Sequence, residues 1–158
     1  MEIAFVDTSA LAKRYVDEAG SAWVLSLFSE DDSCLVYIAE LTTVELTSAV
    51  VRRSKGGSLS AATASEILSD FDLHLLTDYF ILEITSDLLA NACGLVKVYG
   101  LRSYDAVQIA TAGDLNRSQT ERGLPSIVFI SSDNELLAAA KSEGLSVENP
   151  NNYHKNDF

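Results

Sequence analysis

Basic residues are scarce in this sequence. Lysine and arginine contribute 11 residues against 23 aspartates and glutamates, which gives a formal net charge of −12. This charge keeps a small protein soluble, and it excludes the broad basic surface that is typical of nucleic-acid-binding proteins. An acidic chain can still bind cations at one place and phosphate groups along a local basic strip.

Cysteine and histidine are equally scarce, with two residues of each type. Cys34 and Cys93 lie far apart without metal-ligand spacing, so we predict reduced core cysteines of the kind found in cytosolic proteins. His74 falls in an amphipathic helical segment and His154 in a polar tail. These residues exclude a zinc site or a histidine-based triad, and both histidines are predicted to be structural or solvated.

The sequence also lacks a hydrophobic run long enough to cross a bilayer, and no signal peptide precedes Ile3, so we expect a cytoplasmic protein. Its 158 residues, 47% of them hydrophobic, suit one folded domain with a sizeable core. No repeat or domain boundary is visible, and residues 1–149 are predicted to form a single domain. Residues 150–158 are rich in asparagine and are predicted to be a frayed polar tail.

Apolar runs alternate with segments of helical periodicity along the chain. Strands are predicted at residues 3–6, 34–38, 80–84, 127–130 and 144–147. Helices are predicted at residues 8–16, 23–28, 41–53, 58–79, 87–99, 101–113 and 135–141, with an acidic turn at 30–33 and a polar loop at 116–125. Strands separated by helices predict an α/β fold with a parallel sheet covered on both faces. The small residues Ala106, Ala110 and Gly113 predict close approach of their helix to this sheet.

Four carboxylates fall at unusual places in this pattern. Asp7 and Asp133 each follow a predicted buried strand and precede a helix, at the end of the sheet where ligands bind in open α/β folds. Glu45 and Asp105 lie on the apolar faces of their helices, in line with hydrophobic residues four positions away. Burying an isolated carboxylate is costly, so such groups are paired, protonated or bound to a cation.

A divalent cation is the partner that this set of acids suggests, because few basic residues are available to pair with them. Mg²⁺ and Mn²⁺ prefer oxygen ligands, and a cation relieves the repulsion that gathering carboxylates creates. Such an acidic cluster is suited to the hydrolysis of phosphodiesters. The residues alone leave a second interpretation open, in which Asp7 and Asp133 cap helices and Asp105 bonds to a neighbouring helix end.

Segments around these acids resemble PIN-domain proteins, most closely the VapC-like ribonuclease toxins of prokaryotic toxin–antitoxin pairs. The opening Val6–Val16, followed by Glu18 and Gly20-Ser21, is similar to the start of that family. The other matching segments occur in the family's order and span nearly the whole chain: Leu41–Leu46, Leu101–Ala106 running into Ile109–Ala112, and Ile130–Asp133 followed by Leu136-Leu137 and Ala139-Ala140.

The resemblance implies a three-layer α/β/α fold with a five-stranded parallel sheet, and cleavage of single-stranded RNA that leaves a 5′-phosphate and a 3′-hydroxyl. It assigns the Mg²⁺ or Mn²⁺ site to four acids: Asp7, Glu45, Asp105 and Asp133. Ser9 is expected to support Asp7 through a hydrogen bond, and Glu40 is close enough in sequence to share the role of Glu45. The resemblance also implies a homodimer and a cognate antitoxin whose basic tail enters the acidic pocket.

Two basic segments are candidates for RNA binding. Lys13 and Arg14 are predicted on the outer side of the first helix, and Arg52, Arg53 and Lys55 end the helix that carries Glu45. Phosphate contacts from such residues weaken with salt. The alternative is a solvated helix surface, on which basic residues near the C-terminus complement the helix dipole.

Two other functions remain open from the sequence. A phosphatase or receiver-type domain also places an aspartate after its first strand, but such phosphatases usually carry a second aspartate where this chain has Ser9. A PIN module that has lost catalysis and serves in RNA or protein binding is the second alternative. Turnover of mixed RNA with and without Mn²⁺ distinguishes these functions.

Overall fold

The computed structural model describes residues 2–29 and 34–153. Its strands are β1 (Glu2–Val6), β2 (Cys34–Ala39), β3 (Phe80–Leu82), β4 (Val128–Ile130) and β5 (Ser146–Glu148). Its helices are α1 (Thr8–Leu11), α2 (Ser21–Ser26), α3 (Leu41–Lys55), α4 (Ala61–Thr77), α5 (Ser86–Tyr99), α6 (Ser103–Glu121) and α7 (Asn134–Ser142). The predicted acidic turn at 30–33 and His154 lie outside the described residues.

The strands form one parallel sheet in the order β3-β2-β1-β4-β5, which confirms the five-stranded α/β fold. Strand β1 is central, with Ala4 paired to Val36 on one side and to Val128 on the other. Alternation along β1 sends Phe5 into the core beneath α6 and α7, and Val6 into the core beneath α3 and α4. The strand is apolar throughout its buried part because both of its faces are covered.

The predicted first helix differs from the one that forms. Residues 8–16 were expected to make one continuous helix, whereas α1 is a single α-helical turn that passes directly into a 3₁₀ turn at Ala12–Arg14. The tighter turn brings Lys13 to a buried position, so the expectation that Lys13 and Arg14 decorate an outer surface is wrong. Both side chains are held in ion pairs, as described below.

Helix α6 continues through most of the predicted polar loop. Residues 116–121 are helical because most of their polar side chains face solvent, while Leu115 and Gln119 on the opposite side of the helix are buried. The Asn116 side chain then accepts a hydrogen bond of 3.1 Å from the Ile127 N–H, which connects the end of α6 to β4. The loop prediction is therefore wrong for the first half of the segment.

The small residues of α6 do not face the sheet as predicted. Ala106 and Ala110 pack against Leu88 and Ala92 of α5, so the close approach occurs between two helices. The side of α6 that contacts the sheet carries larger residues, among them Ile109.

The cysteines and the histidine also differ in part from expectation. Cys93 is exposed on α5, so its assignment to the core is wrong, while Cys34 is half-buried in β2. His74 has a structural role, since its Nδ1 lies 2.9 Å from the Tyr15 hydroxyl. No helix in the described ranges is both long and apolar enough to span a membrane.

The chain after β5 is packed for several residues, which corrects the frayed-tail prediction for residues 150–153. Pro150–Asn152 form a 3₁₀ turn in which Pro150 is buried. The Tyr153 ring stacks on Trp23 with centroids 4.8 Å apart, and Asn149 donates to Asn134 at 2.9 Å.

Candidate metal-binding active site

Asp7 lies at the carboxyl end of the central strand and is the N-cap of α1. Its Oδ1 accepts hydrogen bonds from Ser9 Oγ at 2.8 Å and from the Ala10 N–H at 3.2 Å. The side chain is only 5% exposed, and burial raises the pKa of Asp7 from 3.8 to about 7, against the opposing effect of these hydrogen bonds. Asp7 therefore caps a helix, but the hydrogen bonds that it accepts do not fully offset the cost of burying its charge.

Ser9 holds Asp7 to the loop that follows β4. Its hydroxyl donates to Asp7, confirming the predicted hydrogen bond, and it accepts from the Ser132 N–H at 2.9 Å. The Ser131 hydroxyl in turn accepts from the Asp133 N–H at 3.0 Å. Short polar side chains thus fix the ends of β1 and β4 relative to each other, and with them two of the four acids.

Glu45 enters the site from α3 and is half-buried. Its Oε2 accepts hydrogen bonds from the Thr8 hydroxyl and from Gln108 Nε2, the latter at 3.2 Å. Burial is the main reason that the pKa of Glu45 is raised from 4.5, and the charge of Asp105 adds to it. Glu40, by contrast, accepts from the Ile84 N–H at 3.3 Å and does not line the pocket, so only Glu45 contributes from this region.

The remaining acids come from α6 and α7. Asp105 occupies the first turn of α6, where burial and the charge of Asp133 raise its pKa and Arg102 opposes them. Asp133 is exposed and caps α7, with its Oδ1 accepting from the Glu135 N–H at 2.8 Å and the Leu136 N–H at 3.2 Å. The capping interpretation and the pocket interpretation are both satisfied at Asp133, as they are at Asp7.

All four acids line one pocket of about 660 Å³. Three of the acids are each affected by the charge of a neighbour: Asp7 by Glu45, Glu45 by Asp105, and Asp105 by Asp133. None of the ion pairs in the described part of the chain involves any of them. The structure therefore brings the predicted acids together without an ion-pair partner for any of them in the described part of the chain.

The chemistry of this pocket fits a hard divalent cation that keeps part of its water shell. The donors are carboxylate oxygens, and burial raises the pKa values of Asp7, Glu45 and Asp105, so a bound cation would stabilise their charged forms. Within residues 2–29 and 34–153, no three acidic, histidine or cysteine side chains converge closely enough to hold an ion unaided. Waters are needed to complete such a shell, and Mg²⁺ commonly retains several of them.

Three of the five basic residues predicted to bind RNA line the pocket: Lys13, Arg52 and Arg53. Lys13 and Arg53 are also paired to Glu18, at 3.2 Å and 3.5 Å. Lys55 is exposed at the end of α3 and is not part of the lining.

Arg14 lies away from the pocket in a packed cluster. Its guanidinium pairs with Asp78, donates to the Tyr79 hydroxyl at 2.7 Å and lies 3.8 Å from the centroid of the Phe28 ring. These contacts account for the burial of Arg14 and leave it unsuited to holding RNA at the acids.

Sequence reasoning missed several residues of the pocket wall. Arg102, the residue before α6, and Tyr104, in its first turn, both line the pocket, and Tyr104 is 57% exposed. Their proximity to Asp105 in the sequence was the available signal. Thr8 and Gln108 are also close in sequence to Asp7 and Asp105, but their contacts with Glu45 arise only through the fold and left no signal in the sequence.

The parallel sheet and the acids beyond the ends of β1 and β4 define an α/β protein with an acidic pocket at the carboxyl edge of its sheet. The chain belongs to the PIN domain family, which its sequence matches over residues 4–142. A search of curated proteins finds no significant match.

Solved structures share this fold at low sequence identity. PAE2754 from Pyrobaculum aerophilum superposes with a TM-score of 0.62 and 22% identity, covering 96% of this chain and 91% of its own. A toxin–antitoxin complex from Klebsiella pneumoniae gives 0.61 and 19%, covering 93% and 97%. VapC20 from Mycobacterium tuberculosis, a toxin that cleaves the sarcin–ricin loop, gives 0.60 and 18%, covering 86% and 94%.

Proposed function

We propose that this protein is a metal-dependent endoribonuclease that hydrolyses single-stranded RNA and acts as the toxin of a toxin–antitoxin pair in the cytoplasm. The observation that carries the proposal is the convergence of Asp7, Glu45, Asp105 and Asp133 on one pocket, where none of them forms an ion pair with a described residue. Membership of the PIN domain family and the toxins among its structural neighbours support the same function.

In this proposal the four acids hold Mg²⁺ or Mn²⁺ directly or through water, and Ser9 keeps Asp7 in place. An ion bound there would lower the pKa of a bound water and would offset charge that develops on phosphate oxygens. A carboxylate of the set orients the attacking water and receives its proton. The water oxygen would bond to phosphorus as the bond from phosphorus to the 3′-oxygen breaks, and the leaving 3′-oxygen would take a proton from solvent. The products would be a 5′-phosphate and a 3′-hydroxyl, so no side-chain nucleophile is required.

Metal dependence is tested by incubating the purified protein with unstructured RNA. Cleavage is expected in Mg²⁺ or Mn²⁺, and we expect it to stop in excess chelator and to return when the metal is restored. End-group analysis should find 5′-phosphates on the products. Full activity in excess chelator would exclude the proposed mechanism, and metal-stimulated RNA binding without turnover would favour the catalytically silent PIN module.

RNA contact by the basic rim is tested with a matched pair on α3. Arg52→Ala and Lys55→Ala each remove one positive charge, but only Arg52 lines the pocket. With metal chelated to prevent cleavage, Arg52→Ala should weaken RNA binding and reduce the slope of log affinity against log salt by roughly 0.7, the value for one single-strand phosphate contact. Equal slopes for the two variants would assign Arg52 to solvated surface.

We also propose a cognate antitoxin as partner and a homodimer as the assembly. An acidic pocket in a chain of net charge −12 is an electrostatic target for an arginine, whose planar guanidinium can form two hydrogen bonds with a carboxylate. The adjoining reading frame should therefore encode a short protein with a basic tail. Trimming that tail should relieve inhibition while the rest of the partner stays bound, and light scattering should report the dimer.

A further inference from the structure

Gln108 is a buried amide that contacts the acidic pocket from within the protein. It lies on α6 three residues after Asp105, and its side chain is 1% exposed. Its Nε2 lies 3.2 Å from Glu45 Oε2, 3.1 Å from Thr42 Oγ1 and 3.3 Å from Thr8 Oγ1. One amide group thus connects α1, α3 and α6 at the point where Glu45 enters the site.

The orientation of this amide is determined by Glu45. An ionised carboxylate can only accept hydrogen bonds, whereas the hydroxyls of Thr8 and Thr42 can either donate or accept. The amide nitrogen therefore has to face Glu45. As a result, the Gln108 Oε1 atom is buried without a hydrogen-bond partner in the described part of the chain.

An unpartnered buried carbonyl is unfavourable, so stability alone does not account for glutamine here. A methionine has nearly the same length and shape and would bring no unsatisfied polar atom of its own. What methionine cannot provide is the pair of N–H donors that contact Glu45 and Thr42. The glutamine is thus explained by the hydrogen bonds that its amide donates to Glu45 and Thr42.

We propose that Gln108 is a positioning residue, whose amide, anchored on Thr42, fixes the Glu45 carboxylate in its orientation toward the pocket. Thr8 holds the same oxygen from the opposite element, so Glu45 is fixed between α1 and α6. This inference rests on the proposed function only where it treats Glu45 as an ion ligand. The orientation of Glu45 itself can be measured without ion or RNA.

The test compares Gln108→Met with Gln119→Met. Gln119 lies on the same helix, is buried and also has an unpartnered Oε1, but it is remote from the pocket lining. Calorimetric titration with Mn²⁺ should show about tenfold weaker binding or more for Gln108→Met, the usual effect of removing a group that orients a ligand. Gln119→Met should bind Mn²⁺ as the wild type does, and Thr42→Val should give an intermediate loss.

Thermal unfolding and kinetics separate positioning from a merely structural role. Gln108→Met should change the unfolding temperature little, because the unpaired carbonyl is removed while the buried Thr42 hydroxyl loses its donor. Its kcat should fall about tenfold, with KM for RNA unchanged, since the residues that contact RNA remain. Reduced stability with unchanged Mn²⁺ affinity would overturn the proposal and assign Gln108 to the core.

Carbon-13 relaxation of the Glu45 side chain in the metal-free protein reports its orientation directly. We expect a rigid Glu45 in the wild type and in Gln119→Met, and a mobile one in Gln108→Met. A Glu45 that stays rigid in Gln108→Met overturns the inference, whether or not the protein binds Mn²⁺ or cuts RNA. A mobile Glu45 in a protein that never cleaves RNA would support the positioning role while rejecting the proposed ribonuclease.

Discussion

Replacing Asp7 with asparagine is expected to reduce RNA cleavage by about two to three orders of magnitude, while the metal-free protein becomes more stable above pH 7. The loss of activity follows from removing the charge of the most buried of the four acids. The fold should survive, because an asparagine oxygen can still accept from Ser9 Oγ and from the Ala10 N–H. Activity and unfolding temperature are measured on the same preparations.

The direction of the stability change follows from the pKa of Asp7. Burial raises it from 3.8 to about 7, so the folded protein binds more protons than the unfolded chain between these values. Stability contributed by this group is therefore complete below pH 3.8 and is lost as the pH rises through about 7. The loss amounts to at most about 4 kcal/mol, and Asp7→Asn should abolish this part of the pH dependence.

Asp87→Asn is the matched control for Asp7→Asn. Asp87 is an exposed acid in the first turn of α5, outside the pocket, so its neutralisation should leave cleavage unchanged. It should lower stability slightly, since a negative charge near a helix N-terminus is favourable. Mn²⁺ should raise the unfolding temperature of the wild type and of Asp87→Asn, but hardly that of Asp7→Asn. Cleavage by Asp7→Asn at the wild-type rate would show that Asp7 is not part of the site.

The features that could be predicted from the sequence are those with a local signature. The apolar run of β1 ends directly at Asp7, so burial of the strand and the position of the acid are read from adjacent residues. Glu45 and Asp105 stand out because each interrupts a hydrophobic face of its own helix. The family resemblance then placed these acids in one pocket, as the structure does.

The features that could not be predicted depend on residues brought together from distant parts of the chain. Arg14 resembles a solvated helix residue until Phe28 and Tyr79 cover it, at separations that periodicity does not report. Residues 116–121 are polar and look like a loop, yet α6 carries them because its opposite side remains buried. Gln108 looks like an ordinary polar residue, and only the packing of α3 against α6 gives its amide a partner in Glu45.

Replacing Gly20 with alanine is expected to destabilise the protein by about 3 kcal/mol or more, for two separable reasons. Gly20 has a φ of +84°, which an L side chain adopts only with strain. In addition, a Cβ at this position would lie 2.4 Å from the backbone oxygen of Pro150, too close for any van der Waals contact. The 3₁₀ turn after β5 would have to move, and the stack of Tyr153 on Trp23 would be lost with it.

Gly57→Ala is the control that separates the steric clash expected in Gly20→Ala from the backbone strain. Gly57 has nearly the same φ, +83°, but nothing lies within 4 Å of a Cβ built there. Gly57→Ala should therefore lose only the stability that backbone strain costs, about 1 kcal/mol. Its unfolding temperature should fall by about 3 °C, whereas that of Gly20→Ala should fall by about 8 °C or more.

Truncation of the chain after Asn149 tests whether the clash with Pro150 causes the extra loss of stability in Gly20→Ala. Removing Pro150 removes the three atoms nearest to a Cβ at Gly20, so in the truncated protein the two alanine variants should lose similar stability. The effects of Gly20→Ala and of the truncation on stability should therefore not be additive, as is usual for positions in contact. If Gly20→Ala remained much more destabilising than Gly57→Ala after truncation, the close approach to Pro150 would not be its cause.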